Sequence, residues 1–171
     1  MVLTALRGAL GFLSRAPVGR DERAWRAFRS TPAALPLAGY AIGAAVALPL
    51  ALPLPGPTAA ALFVAAVYLV TGINHLDGVA DLGDAAVVHG DAGRRRAVMA
   101  DAELGVGGTA AVALVVFALG AAGLAVAALG LRALALVVAA EVGAKLAVAA
   151  VACLGSAAHE GLGAELTARM P

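Results

Sequence analysis

The chain has 171 residues, of which 62% are apolar and only 13% charged, and its mean hydropathy is +0.93. A soluble domain runs near half apolar and a quarter charged, so this composition argues against a water-soluble globule, and a formal net charge of +1 excludes a polybasic nucleic-acid binder. The one cysteine, Cys153, excludes a disulfide framework and a cysteine-based zinc site.

From the N-terminus, Leu3, Leu6, Leu10 and Leu13 fall three or four apart and so share one helical face. Arg7 interrupts this run and no small-x-small site follows, so residues 1–32 are expected to be a cytoplasmic amphipathic segment rather than an export signal. Four apolar stretches approach the length of about 20 residues that a spanning helix needs: 33–54, 58–73, 105–131 and 133–154. Pro55-Gly56-Pro57 separates the first two. Between Gly105 and Leu131 no residue is charged, whereas the last stretch carries Glu141 and Lys145, an i, i+4 pair read as a buried ion pair. The alternation that a membrane barrel requires is absent. The expected fold is all-α, a polytopic membrane helix bundle of about four spans forming one domain over 1–171.

Charge placement sets the expected orientation. Arg7, Arg15, Arg20, Arg23, Arg26 and Arg29 precede the first span, Arg94, Arg95 and Arg96 lie between the second and third, and Arg169 follows the fourth. The other two connections hold only Arg132. By the positive-inside rule the N-terminus, the middle connection and the C-terminus face the cytoplasm of a multi-pass protein in the cell membrane.

Five of the six aspartates fall between Asp77 and Asp101. If the second span continues as a helix through this region, Asp77, Asp81 and Asp84 lie within about 60° of one another on one face, with Asn74 extending the stripe. Three clustered carboxylates repel, and a cation relieves that repulsion. Oxygen-only ligands suit Mg²⁺, and Asp101 across the expected Asp-rich loop 77–104 adds a further oxygen donor. Gly78 and Gly83 allow close approach of backbone or ligand. A solvated loop balancing Arg94 to Arg96 is the plain alternative; regular spacing and the scarcity of charge elsewhere weigh against it. His75 points away from the stripe by helical geometry. Carboxylates and Mg²⁺ at a membrane face suggest transfer on a phosphate ester, with one aspartate accepting the proton of an attacking hydroxyl.

The string His75-Leu76-Asp77-Gly78-Val79-Ala80-Asp81, then Asp84, Arg94, Met99, Asp101, Leu104, Gly105 and Gly108, resembles the cobalamin synthase (adenosylcobinamide-GDP ribazoletransferase) family. Phe12-Leu13-Ser14-Arg15-Ala16-Pro17-Val18, Leu35-Pro36-Leu37-Ala38-Gly39 and Glu160-Gly161-Leu162-Gly163 extend the resemblance along the chain. It implies an Mg²⁺-dependent membrane enzyme joining adenosylcobinamide-GDP to α-ribazole, or its 5′-phosphate, with release of GMP. Asp77, Asp81, Asp84 and Asp101 would be the metal and catalytic residues, with His75 as a phosphate or guanine-nucleotide contact. Asn74, Gly78, Arg15 and Glu160 would contact substrate. Arg94 is the expected cation for the diphosphate, with Arg95 and Arg96 solvated. Expected partners are the two substrates and the lipid bilayer, with no nucleic acid and with a homo-oligomer allowed.

This chain departs from the family at Asp101-Ala102-Glu103, where Asp-Ser-Arg is usual, and at Lys145, where an arginine is usual. Family members are longer, so the expectation is a fragment, a C-terminally shortened variant, or a chain whose missing part is supplied otherwise. Two other classes compete. CDP-alcohol phosphotransferases carry an Asp-Gly-x-x-Ala string with arginine directly after the alanine, whereas here Asp81 follows Ala80 in Asp77-Gly78-Val79-Ala80-Asp81. A non-enzymatic ion pathway would need polar residues along a whole helix, which 105–131 does not offer.

Overall fold

The computed structural model describes residues 1–171 apart from Arg20, His159 and Pro171, together with the backbone but not the side chain of Asn74. Its described residues form helices and no strands. Two helices precede the first apolar stretch, α1 (Val2–Leu13) and α2 (Glu22–Arg29). Asp21 caps α2 by accepting from the backbone N–H of Arg23 at 2.8 Å and of Ala24 at 3.4 Å. The Arg23 N–H, then that of Ala24 and the nearby Arg7, hold the Asp21 carboxyl below its ordinary value of 3.8. The cap is therefore complete above that value and is lost as the pH falls below it. Phe12, Trp25 and Phe28 cluster with ring centroids 5.6 to 5.7 Å apart, joining α1 to α2. A Cβ on Gly8 would lie 2.8 Å from that of Phe28, so the two helices cross where a side chain is missing. The buried face of α1 carries Ala5, Ala9 and Leu13, with Leu6 and Leu10 packed partly against the core, while Leu3 is exposed.

Helix α3 (Ala34–Ala51) turns at the proline-rich link into α4 (Gly56–Thr71), whose Pro57 sits in its first turn, where the missing N–H costs nothing. Helix α7 (Val106–Ala127) packs on α4, and α8 (Leu131–Leu154) packs along α3. A Cβ on Gly39 would lie 2.9 Å from the Val142 Cα, and one on Gly43 would lie 2.8 Å from the Val138 Cα. This small-xxx-small face lets the backbones of α3 and α8 touch without any apolar driving force between them. Glu141 and Lys145 form the expected ion pair at 2.7 Å, with Lys145 only 8% exposed.

Three helices, α3, α7 and α8, are long and apolar enough to cross a membrane, and α4 with the helix that follows it makes a fourth if that bent pair is one span. Leu114, Phe117 and Leu124 on α7, and Leu136, Leu146 and Val151 on α8, are exposed, which gives these helices a lipid-compatible face. The second span does not continue straight. Gly72 adopts φ +73°, its N–H returning to the Tyr68 carbonyl, and the chain turns by 97° into α5 (Asn74–Val87). Only glycine enters that conformation without strain. The segment expected as a loop over 77–104 is largely helical: α5 is followed by α6 (Ala92–Met99), and only 100–105 links α6 to α7. A short α9 (Leu162–Thr167) packs against α8.

Candidate active site

The aspartate stripe forms on α5 as the helical period requires, although on a helix turned away from the second span. Asp77, Ala80, Asp81 and Asp84 line one side of a cavity of about 330 Å³, and Met99, Ala100, Asp101, Ala102, Glu103 and Leu104 line the other. Residues 77, 80, 81 and 84 fall on one face at about 100° per residue. The connection 100–105 supplies the facing wall, where Asp101 Oδ1 accepts from the Glu103 N–H at 3.2 Å and so shapes a tight turn.

The four carboxylates are not equivalent. Asp77 and Asp101 are exposed and Asp81 is half-buried, whereas Asp84 is 9% exposed. Both Asp84 oxygens are engaged: Oδ2 accepts from the Gly105 N–H and Oδ1 from the Gly108 N–H, each at 2.8 Å. The neighbouring glycines make this possible. A Cβ on Gly108 would come 2.5 Å from Asp84 Oδ2, and one on Gly105 would collide with Asp84 Oδ1. One turn away, Gly83 and Gly107 let α5 and α7 touch backbone to backbone, since a Cβ on Gly83 would sit 2.7 Å from the Gly107 carbonyl oxygen. A Cβ on Gly78 would meet nothing within 4 Å, so no packing demand explains that glycine.

A second cavity, of about 890 Å³, is lined by Asp81, Ala92, Arg95, Arg96, Ala97, Met99, Ala100 and Ala158. Asp81, Met99 and Ala100 border both cavities, so the aspartate-walled cavity adjoins one that carries Arg95 and Arg96. On α6, residues 92, 95, 96 and 99 form one helical face. Arg94 lies on the opposite face and borders neither cavity, its backbone N–H being the one that Asp91 caps. Of the three arginines, Arg95 and Arg96 are the ones that line the second cavity. The signal was in the sequence, since Met99 and Ala92 mark the inward face once the segment is taken as a helix instead of a loop.

The other expected substrate contacts lie elsewhere. His75 borders neither cavity and sits within electrostatic reach of Lys145 and Glu141. Arg15 donates its backbone N–H to the Val70 carbonyl at 2.7 Å and lays its side chain near Gly72, beside the α4–α5 turn. Glu160 lines a separate cavity with Arg29, Glu165 and Arg169. The Asn74 side chain lies outside the described residues.

Among the described residues no three histidine, cysteine, aspartate or glutamate side chains converge into a ready-made metal cage. The donor set nevertheless fits Mg²⁺, which takes oxygen ligands and is commonly held by one or two carboxylates with water and substrate phosphate filling the rest. Asp77, Asp81 and Asp101 offer such oxygens on facing walls of one cavity.

Comparison with known proteins places this geometry in a lineage. Residues 5–171 match the profile of the family described as Cobalamin-5-phosphate synthase. The chain is 57% identical to the adenosylcobinamide-GDP ribazoletransferase of Halorubrum lacusprofundi, an alignment covering 98% of this chain and 68% of the relative. It is 49% identical to the protein of the same name from Haloquadratum walsbyi, over 97% of this chain and 68% of that one. At 38% identity, the namesake from Methanococcoides burtonii aligns with 94% of this chain and 64% of its own length. The chain thus spans roughly two thirds of the length of these relatives. No solved structure matches it.

Proposed function

The chain belongs to the cobalamin-5-phosphate synthase family, and on that premise we propose that it is an adenosylcobinamide-GDP ribazoletransferase acting at the cytoplasmic face of the cell membrane in the last steps of cobalamin formation. The observation that carries this reading is the adjoining pair of cavities, one walled by aspartates and the other carrying Arg95 and Arg96, with Asp81 lining both. A nucleotide-activated donor presents a diphosphate, whose anionic oxygens suit a guanidinium on one side and a carboxylate-held cation on the other.

In the transfer, a hydroxyl oxygen of α-ribazole, or of its 5′-phosphate, bonds to the cobinamide-bearing phosphorus as the bond from that phosphorus to the GMP oxygen breaks. The hydroxyl proton passes to a carboxylate, for which exposed Asp77 and Asp101 are suited, because neither is buried or locked to backbone amides through both oxygens. GMP leaves, and adenosylcobalamin or its phosphate remains. Arg95 and Arg96 bind diphosphate oxygens and hold the donor against Asp81. Asp77, Asp81 and Asp101 would hold Mg²⁺, which when bound supplies neutralisation of the charge on the diphosphate and the departing phosphate. The basic residues of α1, α2 and α6 support a cytoplasmic side for this site, as the positive-inside rule favours them there.

The Arg95→Ala, Arg96→Ala double variant is expected to raise the KM for adenosylcobinamide-GDP by at least about 100-fold, since charge-assisted hydrogen bonds are worth roughly 1.5–3 kcal/mol each. Arg94→Ala should change it less than about twofold. Steady-state GMP release from the purified chain in lipid, with adenosylcobinamide-GDP and α-ribazole, checks both. Equal losses in all three positions would reduce the arginines to a diffuse electrostatic patch. Turnover of a CDP-alcohol donor in preference to adenosylcobinamide-GDP would overturn the assigned reaction.

A further inference from the structure

Helix α7 begins without a cap of its own. Its N-cap residue is Gly105, which has no side chain to accept from the free amides of the first turn. Those amides need acceptors, because Gly107 and Gly108 are buried against α5. The acceptor comes from another helix, twenty-one residues back, where Asp84 spreads its two oxygens over the Gly105 and Gly108 N–H groups. The positive end of the α7 dipole offsets the carboxylate charge, so Asp84 tolerates burial without a metal ion beside it. Glycine at 105 and 108 is what the contact demands, because a Cβ at either would enter the space of the carboxylate.

From these contacts we propose that Asp84 is a positioning residue rather than a ligand of cation or substrate: its carboxylate clasps the start of α7 to α5 and so fixes the wall 100–105 that carries Asp101 opposite Asp77 and Asp81. At its start the wall is tied to α6 through the Ala100 and Asp101 N–H groups, and at its end it is tied to α5 through this clasp. Residues 100–105 are exposed, and the connection runs only six residues between the end of α6 and the first turn of α7. Where that turn is pinned decides where Asp101 and Glu103 stand across the cavity. The cation then draws one or two carboxylates from Asp77, Asp81 and Asp101, which avoids the crowding that four ligands would impose. The proposal rests on the functional reading only in taking that cavity as the active site; the clasp is a property of the fold.

The test compares Asp84→Asn, Gly108→Ala and Asp81→Asn with the parent chain in lipid, using three readouts. The first is amide hydrogen exchange over residues 101–109. Asp84→Asn places an amide donor against an N–H, and Gly108→Ala pushes a methyl into the carboxylate while leaving every charge in place. Both are expected to speed exchange at Gly105 and Gly108 by at least about tenfold, and Asp81→Asn to leave it unchanged. The second is Mn²⁺ binding followed by electron paramagnetic resonance. Asp81→Asn should weaken it by at least about tenfold, the two clasp variants by less than about threefold. The third is turnover, where the clasp variants should lower kcat by about 10- to 100-fold with little change in the donor KM, as expected of misplacement by about an ångström. Unchanged exchange in Asp84→Asn and Gly108→Ala, or Mn²⁺ binding lost in Asp84→Asn as in Asp81→Asn, would overturn the proposal. A parent chain that binds no Mn²⁺ and turns over no donor would instead refute the functional reading, while the clasp would still stand or fall on the exchange of Gly105 and Gly108.

Discussion

Asp77→Asn and Asp81→Asn should each lower transfer by at least about 100-fold while leaving membrane insertion and helix content intact. The expectation follows from their placement. Both lie on the face of α5 that lines the aspartate-walled cavity, and neither is used to hold the fold: Asp77 is exposed, and Asp81 lines both cavities. Replacing a carboxylate by an amide keeps the shape and removes the charge, so the loss falls on cation binding and on proton acceptance, contributions worth about 10²- to 10⁴-fold for a positioned acid–base group. At Asp81 the loss should shrink at high Mg²⁺ concentration, since a weakened site refills by mass action; at Asp77 the part due to proton acceptance should persist. Retention of most activity in both variants would remove the aspartate face from the chemistry. Initial rates of GMP release across a Mg²⁺ series, alongside a protease-protection assay for insertion, measure the two effects separately.

Lys145→Met should be the most destabilising single change in the spanning helices, and the double variant Glu141→Gln, Lys145→Met should recover most of the loss. Lys145 is 8% exposed and meets Glu141 at 2.7 Å on the face of α8 that packs against Gly39 and Gly43 of α3. Removing the lysine strands a carboxylate among apolar helices, and breaking a buried pair in this way costs about 3–5 kcal/mol. Replacing both partners with neutral groups removes the stranded charge. For a protein of this size the single variant should melt on the order of 10 °C lower, followed by circular dichroism in detergent. An equal fall in the double variant would show that the pair contributes packing or a contact to His75, which lies within its electrostatic reach, rather than charge balance.

Much of the fold is legible in the residues. The four apolar stretches appear as α3, α4, α7 and α8, because long runs without charge have few alternatives to a helix in an apolar medium. The Glu141–Lys145 pair could be read from i, i+4 spacing alone. The Asp77, Asp81, Asp84 face also forms as spaced, since helical periodicity is local. What sequence spacing could not show was the direction of α5. A single glycine at φ +73° redirects the helix by 97°, and Gly72 looks no different in the sequence from Gly78, where nothing crowds the backbone. Spacing puts Asp84 on one face with Asp77 and Asp81 and says nothing of what that face meets. Its partners lie twenty-one and twenty-four residues away, and only the packing of α5 on α7 brings them together. Spacing is equally silent on Arg94, Arg95 and Arg96: only the helix over 92–99 shows that Arg95 and Arg96 line the second cavity.

The most direct test of the account is a single coupled measurement, in which the purified chain in lipid is given adenosylcobinamide-GDP and α-ribazole and GMP and cobalamin are quantified together, with Mg²⁺ present and then with EDTA. The account predicts GMP and cobalamin in equal amounts, and their loss on chelation with recovery when Mg²⁺ is returned. GMP release without cobalamin, turnover unaffected by EDTA, or no turnover under either condition would contradict it.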